Sequence, residues 1–534
     1  METGLKKLNP IHRTWIPSAW VGGCLLLSPF VVFIRYQNYP VLRPEFATCF
    51  ALLSVAGILL GIIMELVGQY SRVLVLSCLI TLLVDIQMPR PERPLILMVV
   101  FGVSLIPTWF LRNQLARFGT FVTGVLLISS FILPSGHVDT GYQTVTSLTP
   151  GNPNLPVFLH IILDEHIGVE GIPERFDPDG YYAEQLRDFY LDHGFSVFGR
   201  AYSRYFNTWN TIPNLLNFDA PRFRLRYCGS DDGKFYVKAN RYFELMKRRG
   251  YQIHVYQSDY LNYCSQAAGV AISSCYTYEL ESIQSIVDSP ISLAGKTRIL
   301  LGVYSRLSEI LGVFNIPQVR VSAVSASKAL EKLHSDLLEA KPGMMFIAHL
   351  MLPHYPYIYR SDCSLRKQPE KWLNAHVEKL KPRHNTESTR AERYPMYLEQ
   401  ISCTNAKLER LFDDLKRLGK YENMIIIIHG DHGSRLVCAP PDAKMIQEPY
   451  SESDFVDAFS TLFAVKWPGI PAAYDRRIVP LEALFTSFIF NGKVEAGVEW
   501  AGTQHVFFQQ GQPQLQVRSM PDFGRELRPL EGGR

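Results

Sequence analysis

The sequence predicts an N-terminal bundle of five transmembrane helices followed by an α/β domain with a central, mostly parallel sheet. Two observations predict this fold class. Residues 1–135 carry only 10 Lys or Arg and 5 Asp or Glu, whereas the rest of the 534-residue chain carries 44 and 45. From residue 156 onward, short apolar runs alternate with amphipathic stretches, as in a sheet covered by helices on both faces. We therefore predict a membrane part over 1–135, a linker over 136–155 and an outer domain over 156–534.

The membrane part contains five apolar segments separated by short polar turns. About 20 apolar residues are needed to cross a ~30 Å hydrocarbon core. With the N-terminus inside, six basic residues lie near the inner ends of the segments and four near the outer ends, and an odd number of spans then places the outer domain outside the cytoplasm. The net charge of +4 belongs to this part, so it does not indicate a nucleic-acid partner. The segments cover 19–34, 46–67, 73–86, 95–111 and 118–133.

The outer domain has a regular alternation of predicted strands and helices. Glycines at 194, 250 and 419 end three of the helices. The polar tract 366–393 is predicted to be a surface insertion. The predicted strands cover 157–163, 253–256, 344–350, 424–428 and 461–465, and the predicted helices cover 181–193, 241–249, 325–340 and 397–418.

The outer domain holds six cysteines, an even number that permits three disulfides in an oxidising compartment. Six cysteines allow fifteen pairings, so the partners stay open. Cys264 with Cys275 is the pair expected first, because it closes a short loop. The six are Cys228, Cys264, Cys275, Cys363, Cys403 and Cys438.

Candidate metal ligands follow three of the buried-looking strands. Asp164 and Glu165 follow the first strand, His354 comes soon after the strand 344–350, and Asp431-His432 follows 424–428. In open α/β sheets, ligands bind beyond the carboxyl ends of the strands. Carboxylate with imidazole suits zinc or manganese. Each cluster alone could be an ordinary turn, and His349, within its strand, is expected to face the interior.

Two threonines, Thr208 and Thr211, precede Pro213 and an apolar stretch. This pattern is typical of a helix N-terminus, where Thr serves as a cap. The same position favours an anion, and a nearby divalent metal would convert a hydroxyl into a nucleophile.

With these motifs, the sequence from about residue 156 to 492 resembles the alkaline phosphatase/sulfatase superfamily. It most resembles the membrane-anchored branch of lipoteichoic acid synthases and phosphoethanolamine transferases. Asp164-Glu165 is similar to the family's first metal ligand, and Thr211-Ile212-Pro213-Asn214 to the nucleophile turn of nucleotide pyrophosphatase/phosphodiesterases. The segment from Tyr397 through Asp431-His432-Gly433 is similar to the second metal segment, and 463–469 to the strand that follows it.

The resemblance implies roles for individual residues. Thr211 would be the nucleophile and a bridging metal ligand, with Thr208 as the second candidate nucleophile. His354 and Arg435 would contact the transferred group, although Arg435 could equally be an exposed arginine beside a loop. The remaining implied metal ligands are Asp164, Asp431 and His432, with Glu165 as an alternative or additional first ligand.

Two departures from the family pattern refine the expected activity. Thr211 is not in a Cys/Ser-x-Pro-x-Arg turn, which argues against a true sulfatase, and residues 434–445 lack the histidine of a second zinc site. We therefore expect one divalent metal ion, zinc or manganese.

The expected protein is an integral enzyme of a bacterial inner membrane with a periplasmic catalytic domain. It would transfer a phosphoethanolamine- or phosphoglycerol-type headgroup from a phospholipid, through phosphothreonine, to an envelope glycan or lipid. Hydrolysis at the same site, or a non-catalytic role in envelope assembly, are the alternatives.

Overall fold

The structure is a computed structural model of the full chain. It describes most of 15–81, then 94–110, 115–132, 151–220, 225–231, 234–280, most of 283–304, 322–366, 385–438, 451–494, 505–508, 516–525 and 527–528.

The helices and strands are numbered in chain order. The helices are α1 (Trp15–Tyr36), α2 (Pro44–Leu66), α3 (Pro94–Phe110), α4 (Leu115–Ile132), α5 (Tyr181–Asp192), α6 (Thr208–Leu215), α7 (Arg241–Arg248), α8 (Leu293–Tyr304), α9 (Ser322–Leu338), α10 (Glu387–Arg417), α11 (Glu452–Phe459) and α12 (Leu481–Asn491). The strands are β1 (Phe158–Leu163), β2 (Ser196–Phe198), β3 (Ala201–Tyr202), β4 (Cys228–Asp231), β5 (Lys234–Val237), β6 (Gln252–Ser258), β7 (Leu261–Asn262), β8 (Ser274–Tyr278), β9 (Met344–Leu350), β10 (Ile425–Gly430), β11 (Phe463–Lys466), β12 (Tyr474–Asp475), β13 (Val479–Pro480), β14 (His505–Phe508) and β15 (Gln516–Ser519).

The chain divides into two compact units. The first takes residues 1–140 together with 283–319, and the second takes 141–282 and 320–534. The first unit therefore includes α8, which lies between β8 and α9 in the sequence. The predicted linker 136–155 falls mostly outside the described residues; its described end is bonded to the second unit, since Asn152 donates its N–H to Gly250 O.

Among the described residues, the first unit contains two helices that are long and apolar enough to cross a membrane, Ile16–Arg35 and Pro44–Ile63. The predicted segments 95–111 and 118–133 form the shorter apolar helices α3 and α4. Half of the predicted segment 73–86 lies outside the described residues, and its described positions are helical.

Helices α1 and α2 approach each other closely at glycines. A Cβ atom on Gly57 would lie 2.5 Å from the carbonyl oxygen of Gly22, and one on Gly61 would lie 2.1 Å from that of Ser18. Lipid tails are as apolar as the helix surfaces, so association of membrane helices depends on such backbone contact. The small residues therefore allow the two helices to pack.

We expect Gly57→Ala to separate α1 from α2, because the added methyl group meets backbone rather than a flexible side chain. The cost is ~1–3 kcal/mol, as for overpacked cores. The measurement is the thermal unfolding midpoint of the detergent-purified chain. Gly102→Ala is the control, since a Cβ there meets nothing within 4 Å. Equal midpoints for the two variants would contradict the packing.

The second unit is built on a mostly parallel sheet, as predicted. Among the described residues, eight strands pair in the order β12-β2-β11-β10-β1-β9-β6-β8. β1 is parallel to both β10 and β9, and β11 is antiparallel to its neighbours β10 and β2. Leu163 pairs with Gly430 on one side and Leu350 on the other, so the carboxyl ends of three central strands lie side by side.

Helix α10 begins at Glu387, ten residues before the predicted start at 397, so the prediction of a surface insertion over 366–393 is wrong for its last part. Thr386 and Thr389 form a capping box at the helix start. Arg390 is only 1% exposed and pairs with Asp454 and Asp457. Asp454 and Asp457 lie more than 60 residues after Arg390 in the sequence, so the charged residues next to Arg390 did not indicate that it would be buried. Residues 367–384 lie outside the described residues.

Two disulfides are present in the second unit. The predicted Cys264–Cys275 bond is confirmed, and Cys363 is bonded to Cys403. The third disulfide that the even count allowed is not formed, because Cys228 and Cys438 are free.

A buried histidine in β6 makes the second unit sensitive to acid. His254 is fully buried, with Nδ1 2.6 Å from Ser274 Oγ and its ring stacked on Phe346. Burial lowers the pKa of His254 to about 4. Below pH 6.5 this histidine is therefore protonated in the unfolded chain, whereas it stays neutral in the folded chain until the pH approaches 4. The free energy of unfolding is thus fully retained at neutral pH and decreases as the pH falls toward 4.

We expect this titration to cost ~3 kcal/mol of unfolding free energy by pH 4, at 1.36 kcal/mol per pKa unit. His254→Gln removes the titrating group. Urea unfolding followed by tryptophan fluorescence at pH 7 and pH 4 should show a smaller loss in this variant than in the wild type. The same loss in both proteins would contradict the assignment.

Candidate active site

A cluster of acids and a histidine lies where β1, β9 and β10 end. Each of Asp164, His349 and Asp431 is buried, and their ligand atoms lie within 4.8 Å of one another. His349 Nε2 is 3.1 Å from Asp164 Oδ2. His349 is buried, as expected for a residue that faces the interior, and its imidazole contacts the cluster. Its signal in the sequence was its place one residue before the end of a strand, but strand order was needed to see that β9 lies beside β1.

Asp164 also belongs to a second group of candidate metal ligands, together with Glu165 and His354. His354 Nε2 is 3.3 Å from Glu165 Oε1 and 3.9 Å from Asp164 Oδ1. The loop that carries His354 is held by the buried Gln400 of α10, whose amide nitrogen donates to the carbonyl oxygens of Pro353 and His354. The loop therefore presents the imidazole to the end of β1.

The backbone at Glu165 is in the left-handed region, with φ of +61°. This conformation is costly for a residue with a Cβ atom, and such residues cluster at functional sites. Two bonds hold it: the Glu165 N–H donates to Asp431 Oδ1 at 3.0 Å, and the Tyr397 hydroxyl donates to the Glu165 carbonyl oxygen at 2.5 Å. The peptide is thus fixed between β10 and α10.

The two central carboxylates differ in electrostatic environment. Burial raises the pKa of Asp164, but the charges of His354, His349 and His432 outweigh it, so the pKa lies below its ordinary value. Burial, and then the charge of Asp164, raise the pKa of Asp431. Placing two acids together in a buried site is unfavourable without a cation.

The donor set fits a divalent metal ion. Asp164 Oδ1 is buried and forms no hydrogen bond within the described residues. Carboxylate oxygens and imidazole nitrogens are ligands of zinc and manganese. The buried atoms of Asp164, Asp431 and His349 therefore provide a site that a metal ion would complete.

The two candidate threonines occupy different positions on α6. Thr208 is the first residue of the helix, and its Oγ1 donates to Asp164 Oδ2 at 3.2 Å. Thr211 lies one turn further along, with its Oγ1 3.1 Å from Ser203 Oγ and 3.3 Å from the carbonyl oxygen of Tyr205. Of the two hydroxyls, that of Thr208 is hydrogen-bonded to a cluster carboxylate, whereas that of Thr211 is hydrogen-bonded to Ser203 and Tyr205.

His432 and Arg435 complete the site on the side of β10. His432 Nε2 is 3.3 Å from Asp431 Oδ2 and 3.3 Å from an Arg435 guanidinium nitrogen. Arg435 Nε is 3.2 Å from Glu165 Oε1, and the guanidinium lies over the Phe206 ring. The Arg435 side chain keeps 33% of its surface exposed, so it can meet an anionic ligand at the edge of the cluster.

Residues 193–450 match the model of the family described as Sulfatase. The chain therefore carries a segment, just under half of its length, that is similar to a sulfatase domain. The matched segment contains Thr208, His349, His354, Asp431 and His432, while Asp164 and Glu165 precede it.

The chain is also similar, at low sequence identity, to several solved structures. The phosphonate monoester hydrolase of Agrobacterium radiobacter is 12% identical with a TM-score of 0.40, over 66% of this chain and 80% of that one. A protein of the alkaline phosphatase superfamily from Vibrio parahaemolyticus is 14% identical with a TM-score of 0.38, over 71% and 83%. The zinc complex of the C-terminal periplasmic domain of EcEptC from Escherichia coli is 13% identical with a TM-score of 0.38, over 71% and 97%. No curated protein sequence matches the chain.

Proposed function

We propose that the chain is a membrane-anchored transferase that moves a phospholipid headgroup phosphate through a phosphothreonine on Thr208. The observation that carries this proposal is the hydrogen bond from the Thr208 hydroxyl to Asp164, at a helix N-terminus and beside the acid–histidine cluster. A nucleophile needs a partner that takes its proton and a site that accepts a transferred anion. Thr208 has both.

Asp164, Asp431 and His349 hold one zinc or manganese ion, and His432 stands next to Asp431. When bound, the ion supplies positive charge for the phosphoryl oxygens and lowers the pKa of a nearby hydroxyl. Glu165 and His354 lie on the other side of Asp164, and we assign them to substrate binding together with Arg435. The guanidinium of Arg435 suits two phosphoryl oxygens at once.

The proposed reaction has two steps, and in each step one bond to phosphorus forms while another breaks. Thr208 Oγ1 forms a bond to phosphorus while the bond from phosphorus to the lipid glycerol oxygen breaks. The Thr208 proton, directed toward Asp164 Oδ2, ends on the leaving alcohol. An acceptor hydroxyl later attacks the phosphothreonine, the bond from phosphorus to Thr208 Oγ1 breaks, and the acceptor's proton passes to Oγ1.

The apolar helices support a lipid donor. α1 and α2 are long enough to cross a bilayer, and we propose five spans with the second unit outside the cytoplasm of a bacterial inner membrane. Two disulfides fit an oxidising compartment. A phosphoethanolamine or phosphoglycerol headgroup would then pass to an envelope glycan or lipid, and water in place of that acceptor would make the enzyme a hydrolase.

The test uses the full chain in detergent with zinc or manganese. Phosphatidylethanolamine or phosphatidylglycerol with a radiolabelled headgroup is added, and the protein is quenched in acid and mapped by mass spectrometry. We expect label on Thr208, discharged by an added glycan or lipid acceptor. Discharge at an equal rate without acceptor would establish hydrolysis instead, and turnover with no label on Thr208 would overturn the proposal.

A further inference from the structure

Two tyrosines from neighbouring segments enclose His349. The Tyr278 hydroxyl, at the end of β8, donates to the carbonyl oxygen of His349 at 2.9 Å and accepts the N–H of Met351 at 2.9 Å. These two bonds fix the backbone on both sides of Leu350. Tyr278 therefore holds the main chain of the histidine but leaves its ring orientation to other contacts.

Tyr263 contacts the imidazole itself. The two ring centroids are 5.8 Å apart and the planes are 61° to each other, and both residues are buried. The Tyr263 hydroxyl and His349 Nδ1 are each buried without a hydrogen-bond partner among the described residues. An unpaired buried polar group costs ~1–3 kcal/mol, so two such groups on adjacent rings point to one shared interaction.

The Nδ1 atom is the ring nitrogen of His349 that lacks a hydrogen-bond partner among the described residues. The other ring nitrogen, Nε2, is 3.1 Å from Asp164 Oδ2. A histidine that binds a metal through one ring nitrogen almost always donates the other N–H to an oxygen, which fixes the tautomer and the ring orientation. A tyrosine hydroxyl can accept that proton directly or through one water.

The segment that carries Tyr263 is held rigidly. Its N–H donates to Gln257 Oε1 at 2.7 Å. The next residue, Cys264, is disulfide-bonded to Cys275, three residues before Tyr278. One covalent bond therefore ties together the two segments whose tyrosines meet His349.

We propose that Tyr263 is a positioning residue for the metal ligand His349, and that the Cys264–Cys275 disulfide keeps it in place. Through one water, its hydroxyl accepts a hydrogen bond from the Nδ1–H of His349, and this holds Nε2 toward the metal site. This inference rests on the metal site of the proposed function but not on the identity of the lipid or the acceptor.

The test is metal affinity of the full-length protein, measured by competition between zinc and a chromophoric chelator. Tyr263→Phe keeps the ring and removes the hydroxyl. We expect a ~10–100-fold weaker zinc affinity, the usual effect of losing such an outer partner. Turnover at saturating zinc should return close to the wild-type value, since the ligand itself is unchanged.

Tyr190→Phe is the matched control. Tyr190 is also fully buried with an unpartnered hydroxyl, but it lies in α5 and packs against Phe189 and Phe195. Its loss should leave zinc affinity unchanged. The double variant Cys264→Ser/Cys275→Ser should weaken zinc binding, and Cys363→Ser/Cys403→Ser should not.

Equal zinc affinity in the wild type and Tyr263→Phe overturns the positioning role while leaving the metal site intact. Wild-type protein that binds neither zinc nor manganese overturns both this inference and the proposed metal site. A loss of affinity in Tyr190→Phe as large as in Tyr263→Phe shows a general packing effect and also overturns the role.

Discussion

We expect Thr208→Ala to lower kcat/KM for the proposed phospholipid donor by at least ~10³-fold, because it removes the atom that we propose forms the covalent intermediate. The structure supports this expectation through the Thr208 Oγ1–Asp164 Oδ2 distance of 3.2 Å. Thr208 is buried at the first position of α6, and its replacement by Ala removes only the hydroxyl and one methyl group. Zinc binding and the thermal unfolding midpoint should change little.

Two further variants make the result specific. Thr208→Ser retains the hydroxyl and should keep a substantial part of the activity. Thr211→Val removes the buried hydroxyl that bonds to Ser203 and Tyr205, so it should lower stability and leave the covalent label on Thr208. If a folded Thr211→Val protein carried no label and Thr208→Ala were active, the nucleophile would be Thr211.

Asp431→Asn weakens zinc or manganese binding by at least ~100-fold, more than outer-sphere changes cost, and lowers turnover in proportion. Asn can still accept the N–H groups of Glu165 and His432 through its amide oxygen, as Asp431 Oδ1 does. The change therefore removes the charge while keeping the local geometry.

The unfolding temperature of the metal-free protein tests the same assignment, because without metal the Asp431→Asn change should not lower it. Burial and the charge of Asp164 raise the pKa of Asp431, so the wild type without metal contains two acids that repel each other. Asp431→Asn without metal should unfold at the same or a higher temperature than metal-free wild type. Added zinc should raise the wild-type midpoint and leave the variant unchanged.

Asp177→Asn is the control for this experiment. Asp177 is a buried acid away from the cluster, where it pairs with Arg525 and accepts two N–H groups at the start of α5. Its replacement should lower stability with or without metal and leave the zinc affinity unchanged. A metal-dependent gain in stability that persists in Asp431→Asn would place the ion elsewhere.

Several features of the site follow from local sequence. Asp164, Glu165 and Asp431 are carboxylates placed directly after apolar strands, and parallel strands bring their carboxyl ends to one edge of the sheet. A helix start near the two threonines was also visible, although Asn207 rather than a threonine is the N-cap and Pro213 lies inside the helix. Local pattern was therefore sufficient for the α/β sheet of the second unit, for the candidate acidic ligands and for the segment that carries the candidate nucleophile.

Other features depend on partners that are distant in sequence. His349 is a ligand candidate only because β9 lies next to β1, which the apolar run of β9 does not specify. The start of α10 at Glu387 depends on the burial of Arg390 against Asp454 and Asp457, which reverses the usual exposure of a charged tract.

By itself, the sequence determined the apolar first part, the alternation of strands and helices and the acids that could hold a metal ion, because each depends on spacing along the chain; it favoured the Cys264–Cys275 pair without fixing it. Only the tertiary structure decided between Thr208 and Thr211 as the residue that reaches Asp164. A helix advances 1.5 Å per residue, so three positions move a hydroxyl by ~4.5 Å, further than a hydrogen bond extends. Which threonine reaches the acid then depends on how α6 packs against the end of β1.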